Sequence, residues 1–167
     1  MLMRNNLEQT LLNKIFDLPS LKAKLTEWKS DSKKVVFTNG VFDLLHVGHI
    51  TYMAKAADLG DKLVIGLNSD ASVKRIKGED RPVNDQNSRA ALLAALFFVD
   101  AIIIFEEDTP QQLIATLLPD VLVKGADYTI ENIAGAKEVI INGGEVKTID
   151  LVDGYSSTSI IQKIKSR

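Results

Sequence analysis

The chain has 167 residues, of which 46% are hydrophobic and 25% are charged, and its formal net charge is -2. This balance is ordinary for a globular protein that buries a sizeable core, and no basic stripe indicates a nucleic-acid partner. The chain has no cysteine, which excludes disulfides, thiolate zinc sites and cysteine nucleophiles. Because neither a signal-peptide pattern nor a run of about 18 apolar residues occurs, we expect a cytoplasmic protein with no membrane partner.

The first 33 residues predict an N-terminal helical extension. Apolar side chains recur near helical spacing from residue 5 to residue 29, and Pro19 interrupts them, which predicts two short helices. We expect the extension, residues 1–33, to pack against the domain that follows at residues 34–167. A dimer contact or the remnant of a junction with another domain would give the same pattern.

From residue 35 onward, apolar runs typical of buried strands alternate with helical segments. We predict strands at residues 35–37, 62–68, 101–105, 121–123 and 146–149. Helices are expected at residues 47–59, after residue 84, at 110–118, near 131–142 and from residue 157, whereas residues 71–84 have the composition of a basic loop. This order predicts a Rossmann-like α/β fold, with a five-stranded parallel sheet and helices on both faces.

Polar segments follow several predicted strands at their carboxyl ends, where parallel sheets bind ligands. These segments are Thr38 to Gly40, Asn68 to Asp70, Lys124 with Gly125, and the residues after Leu151. More than a hundred residues of sequence separate the first from the last, yet this fold would bring them to one edge. The sequence therefore predicts one shared site.

The only two histidines, His46 and His49, lie three residues apart at the predicted start of a helix. The helix dipole and the unpaired N–H groups there favour an anion, which predicts a phosphate site. A surface histidine pair is the simpler alternative, and zinc is disfavoured because the HExxH spacing is absent. The dinucleotide fingerprint, the phosphate-loop pattern and the serine-nucleophile elbow are also missing. Phosphate-transfer chemistry remains, in which both imidazoles donate to phosphate oxygens.

Positive side chains and a hydroxyl cluster are the other candidates. Lys124 follows an apolar strand and precedes a glycine, so its charge is expected at the ligand edge. Ser156 to Thr158 precede an amphipathic helix, which they can cap while also binding an anion. Lys74, Lys77, Arg81 and Arg89 are candidates from charge alone for holding an acceptor phosphate, although basic loops are usually just solvated.

Two motifs resemble signatures of the HxGH nucleotidyltransferase superfamily. Residues 40–49, GVFDLLHVGH, match the pattern GxFDxxHxGH, and residues 156–158 match the hydroxyls of a second signature, ISSTxxR. Tyr155 stands where that second signature has isoleucine, and Ile161 stands where it has arginine. A terminal cation on a triphosphate would therefore have to come from elsewhere.

Further segments, among them NSDASVKRIKGEDRPVN and LPDVLVKGADY, resemble heptose 1-phosphate adenylyltransferases. This is the second domain of the bifunctional heptose kinase/adenylyltransferases, which we expect here to stand alone. The resemblance covers about residues 34–165. It implies transfer of AMP from ATP to D-glycero-β-D-manno-heptose 1-phosphate, giving ADP-heptose and pyrophosphate for lipopolysaccharide core synthesis. Mg²⁺ would bind through the nucleotide phosphates, and we also expect a homodimer.

The resemblance also implies roles for individual residues. His46, His49 and Lys124 would be catalytic. The nucleotide would contact Thr38, Asn39, Gly40, Phe42, His46, His49, Lys124, Gly125, Asp127, Ser156, Ser157 and Thr158. Asp43 would face the acceptor or the metal, while contacts of the sugar phosphate with Lys74, Lys77, Arg81 and Arg89 are a hypothesis from charge.

Two alternatives compete with this interpretation. Glycerol 3-phosphate cytidylyltransferases share the first motif and a similar length, but resemble an ending RTEGISTT whose arginine is absent from residues 151–158. That difference favours adenine over cytosine as the base. A nucleotide-binding module without catalysis is the non-enzyme alternative, and the intact pair of His46 and His49 argues against it.

Overall fold

A computed structural model describes residues 6–166, which form a six-stranded parallel sheet with helices around it. The strands are β1 (Ile15–Phe16), β2 (Val35–Gly40), β3 (Lys62–Asn68), β4 (Ala101–Phe105), β5 (Val121–Gly125) and β6 (Glu145–Ile149). The helices are α1 (Leu7–Leu12), α2 (Leu18–Ser30), α3 (Val47–Ala57), α4 (Asp70–Lys77), α5 (Gln86–Ala94), α6 (Gln111–Leu117), α7 (Ala136–Ile141) and α8 (Ser157–Lys165), with a 3-10 turn at Ile130–Asn132. Within these residues, no helix is long and apolar enough to cross a membrane.

The strands lie in the order β1-β4-β3-β2-β5-β6, and every neighbouring pair is parallel. The chain moves outward from β2 through β3 to β4, and then returns to the other side of β2 to place β5 and β6. The loop after β2 leads to α3 on one face of the sheet, whereas the segment after β5 leads to α7 on the other face, so the two diverge at the carboxyl ends of these neighbouring strands and leave a crevice between them. The predicted phosphate-binding turn follows β2 and lies at this point of reversal.

The prediction of a Rossmann-like α/β fold is confirmed, with six strands in place of the predicted five. The additional strand is β1, in which Ile15 and Phe16 pair with Ile102 and Ile103 of β4. The sequence predicts helix here because apolar residues recur at helical spacing on both sides of this dipeptide. Two residues are too few to show the alternation of a strand. The N-terminal extension thus contributes an edge strand as well as helices.

Two apolar clusters form the core, one on each face of the sheet. Successive strand residues point to opposite faces, so Val35 and Phe37 belong to one cluster and Val36 belongs to the other. Helices α2, α6 and α7 cover the first face, and α3 and α5 cover the second. This double cover holds the sheet rigid, and it thereby fixes the loops that leave its carboxyl edge.

Two helices differ from their predictions. Helix α4 occupies part of the expected basic loop, where Ser69 caps it by accepting a hydrogen bond from the Ser72 N–H at 3.1 Å. Its buried face consists of Ser72 and Val73, which is too narrow an apolar stripe to indicate a helix among so many charges. Helix α7 begins only at Ala136, because the 3-10 turn and Gly135, at a φ of 83°, precede it. Helix α8 begins at residue 157, as predicted.

Candidate active site

A cavity of about 580 Å³ lies at the carboxyl ends of the strands. The loops after β2, β3, β4, β5 and β6 all contribute to its lining. The structure brings most of the predicted site residues together here, namely Asn39, Gly40, Phe42, Asp43, His46, His49, Lys77, Arg81, Lys124, Gly125, Asp127, Ser156, Ser157 and Thr158. Three predicted residues, Thr38, Lys74 and Arg89, are not part of the lining.

The turn after β2 presents Asn39 and Phe42 to the cavity. Phe42 adopts a φ of 45°, in the left-handed region, and its ring meets His49 edge to face with centroids 5.3 Å apart. The side-chain Oδ1 of Asn39 is a buried acceptor without a hydrogen-bond partner in the described part of the chain. Thr38 lies behind this surface, where its hydroxyl bonds the hydroxyl of Tyr52 at 2.8 Å. It therefore supports a lining residue from the core.

The two histidines stack face to face at the start of α3. Their ring centroids are 3.7 Å apart, and the rings are inclined by 21°. His46 is the N-cap residue, and its Nδ1 accepts a hydrogen bond from the His49 N–H at 3.4 Å. In a neutral ring the proton then resides on Nε2, which is buried and has no partner among residues 6–166. His46 thus retains one N–H donor for a ligand.

Burial lowers the pKa of both imidazoles. For His46, burial is the cause of the shift. For His49, burial acts most strongly and the neighbouring His46 adds to it, while the Leu44 backbone acts in the opposite direction, so the pKa falls to about 4. Both rings are accordingly neutral at pH 7 in the free protein. A bound anion would raise both pKa values, and no negative charge on the rings would oppose its binding.

Gly48 allows the C-terminal segment to approach the histidines. A Cβ at this position would lie 3.0 Å from Nδ1 of His46 and 3.1 Å from the Cβ of Tyr155, closer than side chains ordinarily pack. The ring of Tyr155 is inclined by 23° to that of His46, at a centroid distance of 6.1 Å. Ser157 Oγ donates to the Leu44 carbonyl at 3.0 Å. The start of α8 is thus fastened to the turn before α3.

The hydroxyl cluster at residues 156–158 faces the same cavity as the histidines. Ser156 is the N-cap of α8, and its Oγ accepts a hydrogen bond from the Ser159 N–H at 3.0 Å. The cap predicted from the sequence is therefore present. Because the first turn of a helix also leaves other N–H groups unpaired, this end of α8 favours an anion beside the hydroxyls.

Lys124 supplies a positive charge on the β5 side of the cavity. Burial lowers its pKa to about 8, and the nearby Asp127 carboxylate partly offsets that effect. Its Nζ lies 5.4 Å from the ring centroid of Tyr128, within reach of a cation–π interaction. A cation that is poorly solvated in this way gains more from a bound anion than a surface lysine does.

Lys77 and Arg81 line the cavity on the β3 side, together with the buried carboxylate of Asp43. Arg81 Nε donates to Asp43 Oδ2 at 2.7 Å, and the N–H groups of Val83 and Asn84 donate to the same carboxylate at 2.9 Å. Burial opposes the charge on Asp43, but these hydrogen bonds and the arginine outweigh it, so the pKa lies below its usual value.

Lys74 and Arg89 lie apart from this constellation. Lys74 is exposed on α4, whereas Arg89 is fully buried on α5. The Arg89 guanidinium donates, at 2.7 to 3.0 Å, to the carboxylate of Asp70 and to the carbonyls of Val41, Asn68 and Asn84. Charge alone favours a ligand role for Arg89, but its partners are one carboxylate and three backbone carbonyls from separate segments, a set that the sequence does not reveal.

Several lining residues have no role in the sequence analysis. Tyr52 could have been found, since it lies one helical turn after His49 on the same side of α3. Asp108 and Asn132 belong to the loop after β4 and to the 3-10 turn. Only the order of the strands brings those two segments to the cavity, and no local signal in the sequence reports that order.

The described residues do not form a metal cage. Between residues 6 and 166, no group of three or more histidine, cysteine, aspartate or glutamate side chains could hold a metal ion. The sequence analysis offers Asp43 to a metal, but both of its oxygens already accept hydrogen bonds from N–H donors.

Comparison with known proteins identifies a matching family and similar curated proteins. The profile of the cytidylyltransferase-like family matches residues 37–163. The bifunctional protein HldE of Yersinia enterocolitica is 53% identical over 152 residues, which are 91% of this chain and 32% of that protein. The chain thus spans about a third of the length of the curated relatives that it matches.

Two solved structures share the architecture. A lipopolysaccharide core biosynthesis protein from Thermoplasma volcanium superposes with a TM-score of 0.58 at 32% identity, covering 74% of this chain and 99% of that one. Pantoate-beta-alanine ligase from Francisella tularensis, in complex with beta-gamma ATP and beta-alanine, gives a TM-score of 0.56 at 15% identity. That alignment covers 90% of this chain and 76% of the ligase, and at this identity it supports the fold alone.

Proposed function

The chain belongs to the cytidylyltransferase-like family of nucleotidyltransferases, and on this premise we propose that it transfers AMP from ATP to D-glycero-β-D-manno-heptose 1-phosphate. The products, ADP-heptose and pyrophosphate, would serve lipopolysaccharide core synthesis. The resemblance of residues 34–165 supports the heptose acceptor, as do the likenesses to HldE and to a lipopolysaccharide core biosynthesis protein. The proposal also comprises a cytoplasmic location and a homodimer.

One observation carries the proposal above all others. The stacked pair of His46 and His49, the half-buried Lys124 and the hydroxyls at residues 156–158 line the same cavity, although they come from three different strand ends. Hydrogen-bond donors, a helix start and a partly desolvated cation are the groups that bind a polyphosphate. A chance surface pair of histidines would not require this convergence.

The proposed reaction is a displacement at phosphorus. An oxygen of the sugar phosphate forms a bond to the α-phosphorus of ATP, the bond from that phosphorus to the α–β bridging oxygen breaks, and pyrophosphate leaves with the electron pair. The attacking phosphate is already anionic at neutral pH, so no side chain needs to remove a proton from it. The task of the protein is to position two anions and to stabilise the charge that develops.

The histidines would meet that developing charge. The Nε2–H of His46 would donate to a phosphate oxygen, and the buried Nδ1 of His49 lacks a partner in the described part of the chain. Lys124 would neutralise the triphosphate from the β5 side. Because burial partly desolvates the histidines and Lys124, each of these interactions is stronger than at the surface.

The strand order suggests how the two substrates share the crevice. Lys124 lies at the end of β5, Asp127 follows β5 and residues 156–158 follow β6. On the other side, Lys77 and Arg81 follow β3. The histidines follow β2, which lies between these halves. We propose that ATP occupies the β5 side and the sugar phosphate the β3 side, so that they meet at His46 and His49.

We propose that Mg²⁺ enters as part of its complex with ATP. The described residues offer no cluster of metal-ligating side chains, and Mg²⁺ is commonly held by substrate phosphates and water. The cation would neutralise part of the charge on the leaving pyrophosphate. Residues of the chain would then bind the complex through its phosphate oxygens.

The proposed function is tested by measuring pyrophosphate release. The protein would be incubated with Mg²⁺, either ATP or CTP, and a panel that includes both anomers of the heptose 1-phosphate, glucose 1-phosphate and glycerol 3-phosphate. We expect pyrophosphate with ATP and the β-heptose 1-phosphate in particular. Release with CTP and glycerol 3-phosphate alone would replace the proposed substrates, and ATP binding without any release would indicate a module that is not an enzyme.

The alkaline side of the pH profile should report Lys124. With a pKa of about 8 in the free protein, its charge is present below pH 8 and lost above it, so kcat/KM for ATP should fall about tenfold per pH unit above that value. The histidines have pKa values below 6.5 and would cause no change in this range. Lys124→Arg, which stays charged, should abolish the decline. An identical decline in that variant would assign it to another group.

A further inference from the structure

The carboxylate of Asp43 has no capacity left for a substrate or a metal. Oδ1 accepts hydrogen bonds from the N–H groups of Val83 and Asn84, and Oδ2 accepts from Val83 and from Nε of Arg81. The side chain is fully buried. An anion in this position is stabilised by its own neighbours, and a new ligand would have to displace one of them.

Arg81 is held at Nε, which leaves its two terminal nitrogens available to a ligand. Asp43 engages Nε, and the residues between 6 and 166 provide no hydrogen bond to the two terminal nitrogens. The side chain is 14% exposed and lines the cavity next to Lys77. A guanidinium that is fixed at Nε presents its two terminal N–H groups in a constant direction, as bidentate recognition of a phosphate requires.

The loop that carries Arg81 is held on two sides. Asp43 binds the N–H groups at residues 83 and 84, and the Asn84 side chain returns a hydrogen bond to the Asp43 carbonyl at 3.0 Å. On the other side, Nε of the buried Arg89 donates to the Asn84 carbonyl at 3.0 Å. The direction of the Arg81 guanidinium is therefore set by the buried side chains of Asp43 and Arg89, whose own polar atoms are engaged by hydrogen bonds within the protein.

From this geometry we infer that Arg81 binds the phosphate of the acceptor, and that Asp43 is a positioning residue that acts only through Arg81. The inference rests on the proposed function and deepens it, because it names the group that distinguishes a phosphorylated acceptor from the free sugar. It also replaces the direct substrate or metal contact that the sequence analysis expects of Asp43. The nucleotide side of the cavity does not depend on this pair.

Steady-state kinetics of three single variants and one double variant test the inference. Arg81→Ala should raise KM for the acceptor about 10- to 100-fold, as the loss of a charge-assisted bidentate contact does, with little change in KM for ATP. Asp43→Asn should raise the same KM, and in the Arg81→Ala background it should add nothing. Arg81→Lys should be nearly as impaired as Arg81→Ala. A lysine ammonium held by Asp43 lacks the second pair of N–H groups with which a guanidinium binds a phosphate bidentately.

A matched control exists at the opposite end of the sheet. Asp100 accepts from Lys62 Nζ at 2.9 Å and from the Leu63 N–H at 2.8 Å, so it resembles Asp43 in its partners but lies far from the cavity. Asp100→Asn should leave both KM values unchanged. Thermal unfolding of every variant would identify any that is not folded, and the Arg81→Lys result stands even if Asp43→Asn does not fold.

The possible results distinguish a failure of this inference from a failure of the proposed function. Additive effects of the two substitutions, an effect of Asp43→Asn on KM for ATP, or near-normal acceptor affinity in Arg81→Lys would each overturn the inference while the wild type remains active. A wild type that releases no pyrophosphate with any acceptor would overturn the proposed function, and this inference with it.

Discussion

Replacing His46 or His49 by alanine should lower kcat by about 10²- to 10³-fold, as the loss of one donor to a developing oxyanion does. The Nε2–H of His46 has no hydrogen-bond partner among the residues that the structure describes, and His49 fixes that ring by stacking on it at 3.7 Å and donating its backbone N–H. The contact strengthens only as charge develops on the phosphate, so KM for ATP should change much less than kcat. Stopped-time assays of pyrophosphate measure both quantities.

Glutamine at position 46 provides the matched control. It keeps one N–H donor at a similar reach but loses the aromatic stack, so it should retain more activity than alanine. Circular dichroism should show the same fold for all three variants, since the rings lie at the surface of the cavity and not in the sheet. Activity within threefold of the wild type in the alanine variants would contradict the mechanism.

Replacing Arg89 by methionine should lower the free energy of unfolding by about 3 to 5 kcal/mol, the usual cost of removing one partner from a buried ionic network. The buried guanidinium donates to three backbone carbonyls and to the carboxylate of Asp70. Methionine fills similar space but leaves those acceptors without donors. Urea unfolding, monitored through the single tryptophan, Trp28, measures the loss.

Arg75 offers the comparison for this substitution. It pairs with Asp108 at 2.7 Å, but both side chains are about half exposed, so Arg75→Met should cost less than about 1 kcal/mol. If Arg89→Met proved as mild as Arg75→Met and instead raised KM for the acceptor, Arg89 would have the direct substrate role that its charge suggests.

The central turn could be predicted because its information is local. The strand, the turn and the helix start that carry His46 and His49 are consecutive in sequence, and their residue types indicate both the geometry and the chemistry. The same holds for the cap at Ser156, where a hydroxyl precedes an apolar helical pattern. Lys124 could also be placed, because an apolar strand directly before it fixes where its charge emerges.

Features that depend on pairing between distant segments could not be predicted. Asp43 and Arg81 are 38 residues apart, and charge alone cannot distinguish a residue that binds substrate from one that holds its neighbour in place. The partners of Arg89 could not be predicted for the same reason, since three of them are backbone carbonyls, which carry no signature in the sequence. Strand β1 escaped detection because two residues pair with β4 across more than 80 positions. In each case the contact forms only because the fold, which the sequence does predict, brings two distant segments together.

Isotope tracing tests the central claim, displacement at the α-phosphorus of ATP, most directly. The acceptor sugar phosphate would carry ¹⁸O in its phosphate group, and the products would be analysed by ³¹P NMR and mass spectrometry. Our account predicts that every labelled oxygen appears in the nucleotide sugar, one of them bridging the two phosphorus atoms, while pyrophosphate is unlabelled. Label in pyrophosphate or orthophosphate, or ADP in place of pyrophosphate as the released product, would contradict it.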